Sequence, residues 1–257
     1  MDVREWLGLE ATHNPMRWLL PVVPGNSTGG GFLFGGCGLG AAIAAMEGAT
    51  GRPVVWATAQ YLSYARPGTI MDIDVTVAVA GRNTTQARAV GMVGETEILT
   101  VNAALGSRAF DEAGQWQPMP EVPPPAECPV RESRWKTGNS IMDRLDQRWA
   151  LREPDRGHHA VWSRMPELLG TSAPSLAVLG DYVPLGIGET LATEVTSNSL
   201  DNTLRVATVV PTEWVLVDVR LDVVANGFGH GTVHLWSEDG TLMATASQSA
   251  LIRAWKR

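Results

Sequence analysis

Cysteine is nearly absent from this chain: Cys37 and Cys128 are the only two in 257 residues. Two could close one bridge at most, so no disulfide framework is available. Neither C-x-x-C nor H-E-x-x-H occurs, and a protein-bound metal centre therefore has no sequence support. The opening MDVREWLGLE carries acids where a secretory leader has Lys or Arg, and the expectation is a reduced, cytoplasmic protein. Positive charge is also scarce, 20 Lys and Arg against 27 Asp and Glu, a net charge of −7. With no Lys/Arg cluster, broad nucleic-acid binding is excluded, and an anionic ligand would need a local basic pocket. The longest apolar run, near residues 29–46, is too short and too glycine-rich to span a membrane.

What is present suits a packed globular chain with many turns: 44 % hydrophobic residues, 18 % charged and 27 glycines. Residues 109–135 divide it. Five prolines fall between Pro118 and Pro125, flanked by acids, which neither a helix interior nor a central strand tolerates. That stretch reads as an extended linker between domains at 1–108 and 136–257.

The pattern repeats on either side of it. Residues 36–48, GCGLGAAIAAMEG, form a helix buried all round. Strands follow at 53–65, at 69–82 with near period-two apolar residues, at 84–93 and at 97–108. In the second half a helix over 175–190 precedes strands at 191–207, 214–227, 228–236 and 241–253. Each half is then a central helix on a four-strand antiparallel sheet, and the two sheets could pair edge to edge. The charged segment 136–169, with His158, His159, Trp149 and Trp162, stands outside the repeat and is expected to cover the face near a pocket.

Two motifs in the first half tempt a reading. Gly25-Asn26-Ser27-Thr28-Gly29 fits G-x-S-x-G, but a nucleophile elbow needs a strand before the serine and a helix directly after it. Here Pro21 and Pro24 precede Ser27, and three glycines follow Thr28. A dinucleotide G-x-G-x-x-G is left incomplete, because Ala41 stands where its last glycine should be. The glycines instead allow a buried helix to approach its sheet closely.

Four stretches carry a family resemblance: FLFGGCGLGAAIAAM, AQYLSYARPG, LAVLGDYVPL and DGTLMATASQSALIR. They resemble the acyl-CoA thioesterase II group of the thioesterase-like superfamily, across nearly the whole chain apart from the linker and 136–169. The resemblance implies an α+β tandem (double) hot-dog fold, two antiparallel sheets each wrapped on a central hydrophobic helix. It implies hydrolysis of an acyl-CoA thioester without a covalent acyl-enzyme and without a cofactor, CoA being part of the substrate. A homo-oligomer is expected by the same analogy.

In that family the water is oriented by an Asp on the second helix, a Ser/Thr-type residue on the next strand and a Gln on the last strand. Asp181 and Gln248 match the first and third. Asp181 lies in an apolar stretch where a carboxylate is costly unless hydrogen-bonded, and Gln248 can hold a water through its oxygen and its amide. For the second role TSNSLDN offers Asn198, aligned with the family position, and Ser199 beside it; strand alternation allows only one to face the pocket. Asp201 is a further carboxylate, more simply a strand-end polar residue. An offset of 141 residues sets Gly40 against Asp181 and Gln60 against Asp201, so one site per chain is expected, in the second half. Trp56, Tyr61, Leu62 and Tyr64 are candidates to line the acyl chain. Arg66, Arg82, Arg88 and Arg253 are candidates for the CoA phosphates. Two alternatives stay open: a non-catalytic acyl-thioester-binding paralogue, and a hot-dog hydratase or dehydratase. For the latter, Gly186 stands where a hydratase His would follow Asp181, and His230 and His234 lack an evident acid partner.

Overall fold

The computed structural model describes residues 1–133 and 136–254. The last two residues of the expected linker and residues 255–257 of the expected second domain lie outside the described residues. The first half contains α1 (Val3–Leu7), β1 (Glu10–Ala11), β2 (Arg17–Pro21), α2 (Gly35–Thr50), β3 (Val54–Tyr61), β4 (Ile70–Ala80), β5 (Thr84–Val93) and β6 (Thr96–Gly106). The second contains β7 (Asp146–Glu153), β8 (His158–Arg164), α3 (Ala173–Leu179), α4 (Val183–Thr190), β9 (Val195–Ser199), β10 (Asp201–Val206), β11 (Val215–Ala225), β12 (Phe228–Ser237) and β13 (Leu242–Ala254).

These strands form one antiparallel sheet in the order β1-β2-β4-β5-β6-β3-β10-β13-β12-β11-β8-β7, with β9 also beside β13. The halves have the same internal order and meet edge to edge where β3 pairs with β10. That register sets Gln60 opposite Asp201 and Ala59 opposite Asn202. The Thr58 and Thr203 hydroxyls share a 2.7 Å hydrogen bond across the seam. Pairing the two long edges leaves the short β1 and the strand β7 outermost.

Four features differ from the sequence expectation. Each half carries two more strands ahead of its helix, those of the second half, β7 and β8, coming from 136–169 at the sheet edge. The helix expected over 175–190 is broken into α3 and α4, because Pro184 in a continuous helix would clash with the carbonyl of residue 180. The strand expected over 191–207 breaks at Leu200, whose N–H donates to Ser249 O (2.8 Å) and whose carbonyl accepts from Tyr61 N–H (2.9 Å). β3 ends at Tyr61 instead of running to residue 65.

The fully buried run Cys37–Met46 of α2 supplies the centre of the core. Burying Leu39, Ile43 and Met46 contributes about 1.5–3 kcal/mol each. A Cβ on Gly38 would stand 2.8 Å from Leu99 Cδ2 of the sheet, the close approach expected of these glycines. Gly36 and Gly40 face α3 instead, where a Cβ would meet Val178 Cα and Pro174 O, each at 2.8 Å.

The proline-rich stretch is extended and lies across the sheet face turned away from the helices. Met119 and Val122 pack there on Trp162, Trp214, Leu216 and Trp236. Trp162 Nε1–H donates to Pro123 O (2.9 Å), and the Gln115 side chain bonds Leu242 N–H and Gly240 O at 2.7 and 3.0 Å. Trp162→Phe is expected to cost about 1 kcal/mol of stability for the lost bond. Urea denaturation measures it, and limited proteolysis should nick residues 109–125 faster. An unchanged midpoint and nicking rate would mean the strap is not held there.

Candidate active site

The break between α3 and α4 presents Asp181 to the first half of the chain. It is only 5 % exposed. Its Oδ2 accepts the Gly36 N–H at 2.6 Å, and its Oδ1 accepts the Ser199 hydroxyl at 3.1 Å and the Gln248 amide. Phe34, at the N-cap of α2, offers no side-chain acceptor, so an amide of that first turn is open to a carboxylate from elsewhere. The carboxylate of the second half thus caps the central helix of the first.

Gln248 comes from β13, whose alternation turns Ala244, Ala246, Gln248 and Ala250 toward the helices. Its small neighbours leave room for the longer side chain. The Gln248 Oε1 accepts Val183 N–H (3.1 Å), and its Nε2 donates to Ser199 Oγ (3.1 Å) as well as to Asp181. Both ends of the amide are therefore fixed, and Ser199 links Gln248 to Asp181. Ser199 lies opposite the buried Ala250, whereas Asn198 lies opposite Leu251 and points to the other side. Ser199, not Asn198, joins the group. Burial pushes the Asp181 carboxyl above the ordinary value, against the pull of Gln248, Gly36 and Ser199.

The other candidates scatter. The Tyr61 hydroxyl is buried beside Asp181: a Cβ on Gly35 would stand 2.7 Å from Asp181 Oδ2 and 3.1 Å from that hydroxyl. Trp56 does not line this site, because a bulge between Val54 and Trp56 turns it to the outer face with Thr58, while Ala57 and Ala59 face inward. Tyr64 is exposed beyond the strand end and tilts against Phe32, ring centroids 5.0 Å apart. Leu62 and Arg66 are exposed as well. Arg88 donates to Thr100, and Asp201 accepts the Ser249 N–H of the neighbouring β13. Ser27 is buried and donates to Val23 O at 2.7 Å, with no base beside it. The backbone amide of Gly36 escapes sequence reasoning. Asn202 is 1 % exposed on the helix-facing side of β10, beside Leu204.

No group of three or more His, Cys, Asp or Glu that could hold a metal occurs among the described residues. Among the described residues no histidine is bonded to Asp181: His230 meets Ser249, and the His158–Asp218 pair (2.6 Å) lies away on β8 and β11. Proton transfer at carbon by a His–acid pair, as a hydratase would need, thus has no base here.

The model of the acyl-CoA thioesterase C-terminal domain matches residues 113–252, more than half of the chain. The chain belongs to the acyl-CoA thioesterase II family. It is 31 % identical to a candidate thioesterase of Novosphingobium aromaticivorans, over 96 % of this chain and 98 % of that one, with a TM-score of 0.90. A hot-dog protein of Alicyclobacillus acidocaldarius is 18 % identical over 98 % of both chains, with a TM-score of 0.88. An acyl-CoA thioesterase II of Mycobacterium marinum is 18 % identical over 99 % of both, with a TM-score of 0.78. No curated protein sequence matches the chain. As a member of this family the chain has the tandem hot-dog fold and is a thioester hydrolase acting on acyl-CoA-type substrates. Among the described residues no helix is long and apolar enough to cross a membrane.

Proposed function

We propose that this thioesterase hydrolyses a fatty or related acyl-CoA through a water activated by Asp181, with Gln248 and Ser199 holding the carboxylate in place. The observation that carries the reading is the buried carboxylate with three donors on it, at the junction of both halves. Oδ1 is fully engaged by Ser199 and Gln248, whereas Oδ2 accepts only the Gly36 amide and keeps a lone pair for water. The water oxygen attacks the thioester carbonyl carbon while its proton passes to Oδ2. Collapse of the tetrahedral intermediate then breaks the C–S bond. The departing thiolate takes the proton back, leaving free acid and CoA. A raised carboxyl pKa makes Asp181 a better acceptor for that proton than an exposed aspartate.

Gln248 is assigned a positioning role, since its amide hydrogens are spent on Asp181 and Ser199 and are not left for the water. Thiol release from acyl-CoAs of increasing chain length is the direct test. Gln248→Ala should lower kcat by about 10²-fold and Ser199→Ala by about tenfold, with smaller changes in KM. No burst of acylated enzyme should precede turnover. Full activity in both variants, or a covalent acyl-enzyme, would remove this site from the mechanism.

A further inference from the structure

Asp181 accounts for the water, but nothing assigned so far holds the carbonyl oxygen that becomes the oxyanion. At this spot the Tyr61 hydroxyl and the Asn202 amide, both buried, have only each other: the Asn202 amide is set toward the Tyr61 oxygen, and neither group meets another partner among the described residues. Buried polar groups are nearly always paired, because leaving one unpaired forfeits its hydration for nothing. Two buried polar side chains satisfied by nothing but one another, beside the Asp181 carboxylate, mark a place built for a ligand's polar atom.

Their placement follows from strand alternation. Tyr61 on β3, Asn202 on β10 and Gln248 on β13 occupy successive strands and all face the helices. Asn202 pairs with Ala59, one inward-facing position before Tyr61 on the neighbouring strand. A Cβ on Gly35 would stand 3.1 Å from Tyr61 Oη and 2.7 Å from Asp181 Oδ2, so both oxygens converge on one point at the start of α2. Gly35 itself is required there, since any side chain would run into both. Burial and the nearby Asp181 and Asp201 carboxylates hold the Tyr61 phenol well above its usual pKa, so it remains a donor.

We infer that Tyr61 and Asn202 form the oxyanion-holding half of the site, the Tyr61 O–H and the Asn202 Nδ2–H donating to the thioester carbonyl oxygen opposite the water on Asp181. The assignment rests on the thioesterase reading of Asp181. It makes Tyr61 a catalytic residue and not a wall of the acyl pocket, and it makes the active site a joint product of both halves. The negative charge that grows on the carbonyl oxygen during attack is met by two donors whose only partner in the resting enzyme is each other.

The test compares parent, Tyr61→Phe, Asn202→Leu and Asp181→Asn enzymes on one acyl-CoA. Each of Tyr61→Phe and Asn202→Leu should lower kcat by about 10²-fold with KM within threefold of the parent, a loss of rate far larger than the loss of the one Tyr61–Asn202 hydrogen bond takes from the melting temperature. A second readout needs no turnover. The infrared stretch of a ¹³C-labelled thioester carbonyl bound to Asp181→Asn enzyme should move to lower wavenumber than in water. That shift should be lost when Tyr61→Phe and Asn202→Leu are added. Unchanged kcat in both variants, with an unchanged carbonyl frequency, would overturn the inference while leaving Asp181 in place. A parent enzyme that neither turns over nor shifts the bound carbonyl would defeat both readings.

Discussion

Asp181→Asn is expected to lower kcat by about 10²–10⁴-fold, the range for loss of a positioned general base. The replacement keeps size and shape, so the fold should persist. An amide oxygen can still accept from Ser199 and Gln248, but the amide nitrogen then faces the Gly36 N–H, and one bond is lost. Because the carboxyl is raised above its ordinary value of 3.8, the parent's kcat/KM should climb with pH along an acid limb lying above 3.8 and then level off. The residual activity of the variant should lack that limb.

The same shift has a stability consequence of fixed sign. A carboxyl raised in the folded state binds its proton more tightly there than in the unfolded chain, so stability falls as pH rises between the two values. The difference in unfolding free energy, variant minus parent, should therefore grow with pH from 3.8 up to the raised folded value, and stay constant above it. Paired urea titrations across that range measure it. A difference independent of pH would mean that Asp181 is not perturbed by its burial, and a variant with parental kcat would exclude it as the base.

The parts of this site differ in how far residue patterns could reveal them. Asp181 stood out because a carboxylate inside SLAVLGDYVPLGIG has to be hydrogen-bonded to be tolerated. Gln248 stood out as the one long polar side chain among the small residues of TASQSAL. The choice between Asn198 and Ser199 depended on a one-residue register, which only the pairing of β9 with β13 resolves. The Gly36 amide was invisible for a different reason: backbone donors carry no residue signature, and only the missing cap on α2 hinted at one. Trp56, a candidate to line the acyl chain, faces the outer side of β3 with Thr58, and the bulge after Val54 that fixes its facing has no residue signature. The strap leaves its own sign in the sequence. WVLVDV is apolar at successive positions, which a strand covered on one face does not need, and Met119 and Val122 provide the second cover.

The separation of α2 from α3 is what sets Asp181 against Gly36, and two glycines fix it. A Cβ at residue 40 would lie 2.8 Å from the Pro174 carbonyl oxygen, and one at residue 36 would lie 2.8 and 2.9 Å from Val178 Cα and O. All of these are backbone atoms that cannot swing aside, so the helices must part. Gly40→Ala and Gly36→Ala should each cost about 1–3 kcal/mol, the usual penalty of overpacking, despite alanine's better helix propensity. Activity should fall further than stability suggests. Asp181 follows Val178 by one turn, and displacing a catalytic group by about 1 Å can cost 10²-fold. Gly51→Ala separates this effect from a general glycine effect. Gly51 ends α2 at φ 65° with nothing within 4 Å of its Cβ, so alanine there meets only local strain of about 1 kcal/mol and kcat should hold. Urea denaturation and thiol release on the three variants decide the matter. If Gly40→Ala matched the parent in both, the close helix contact would not be what holds the carboxylate on the amide of the other half.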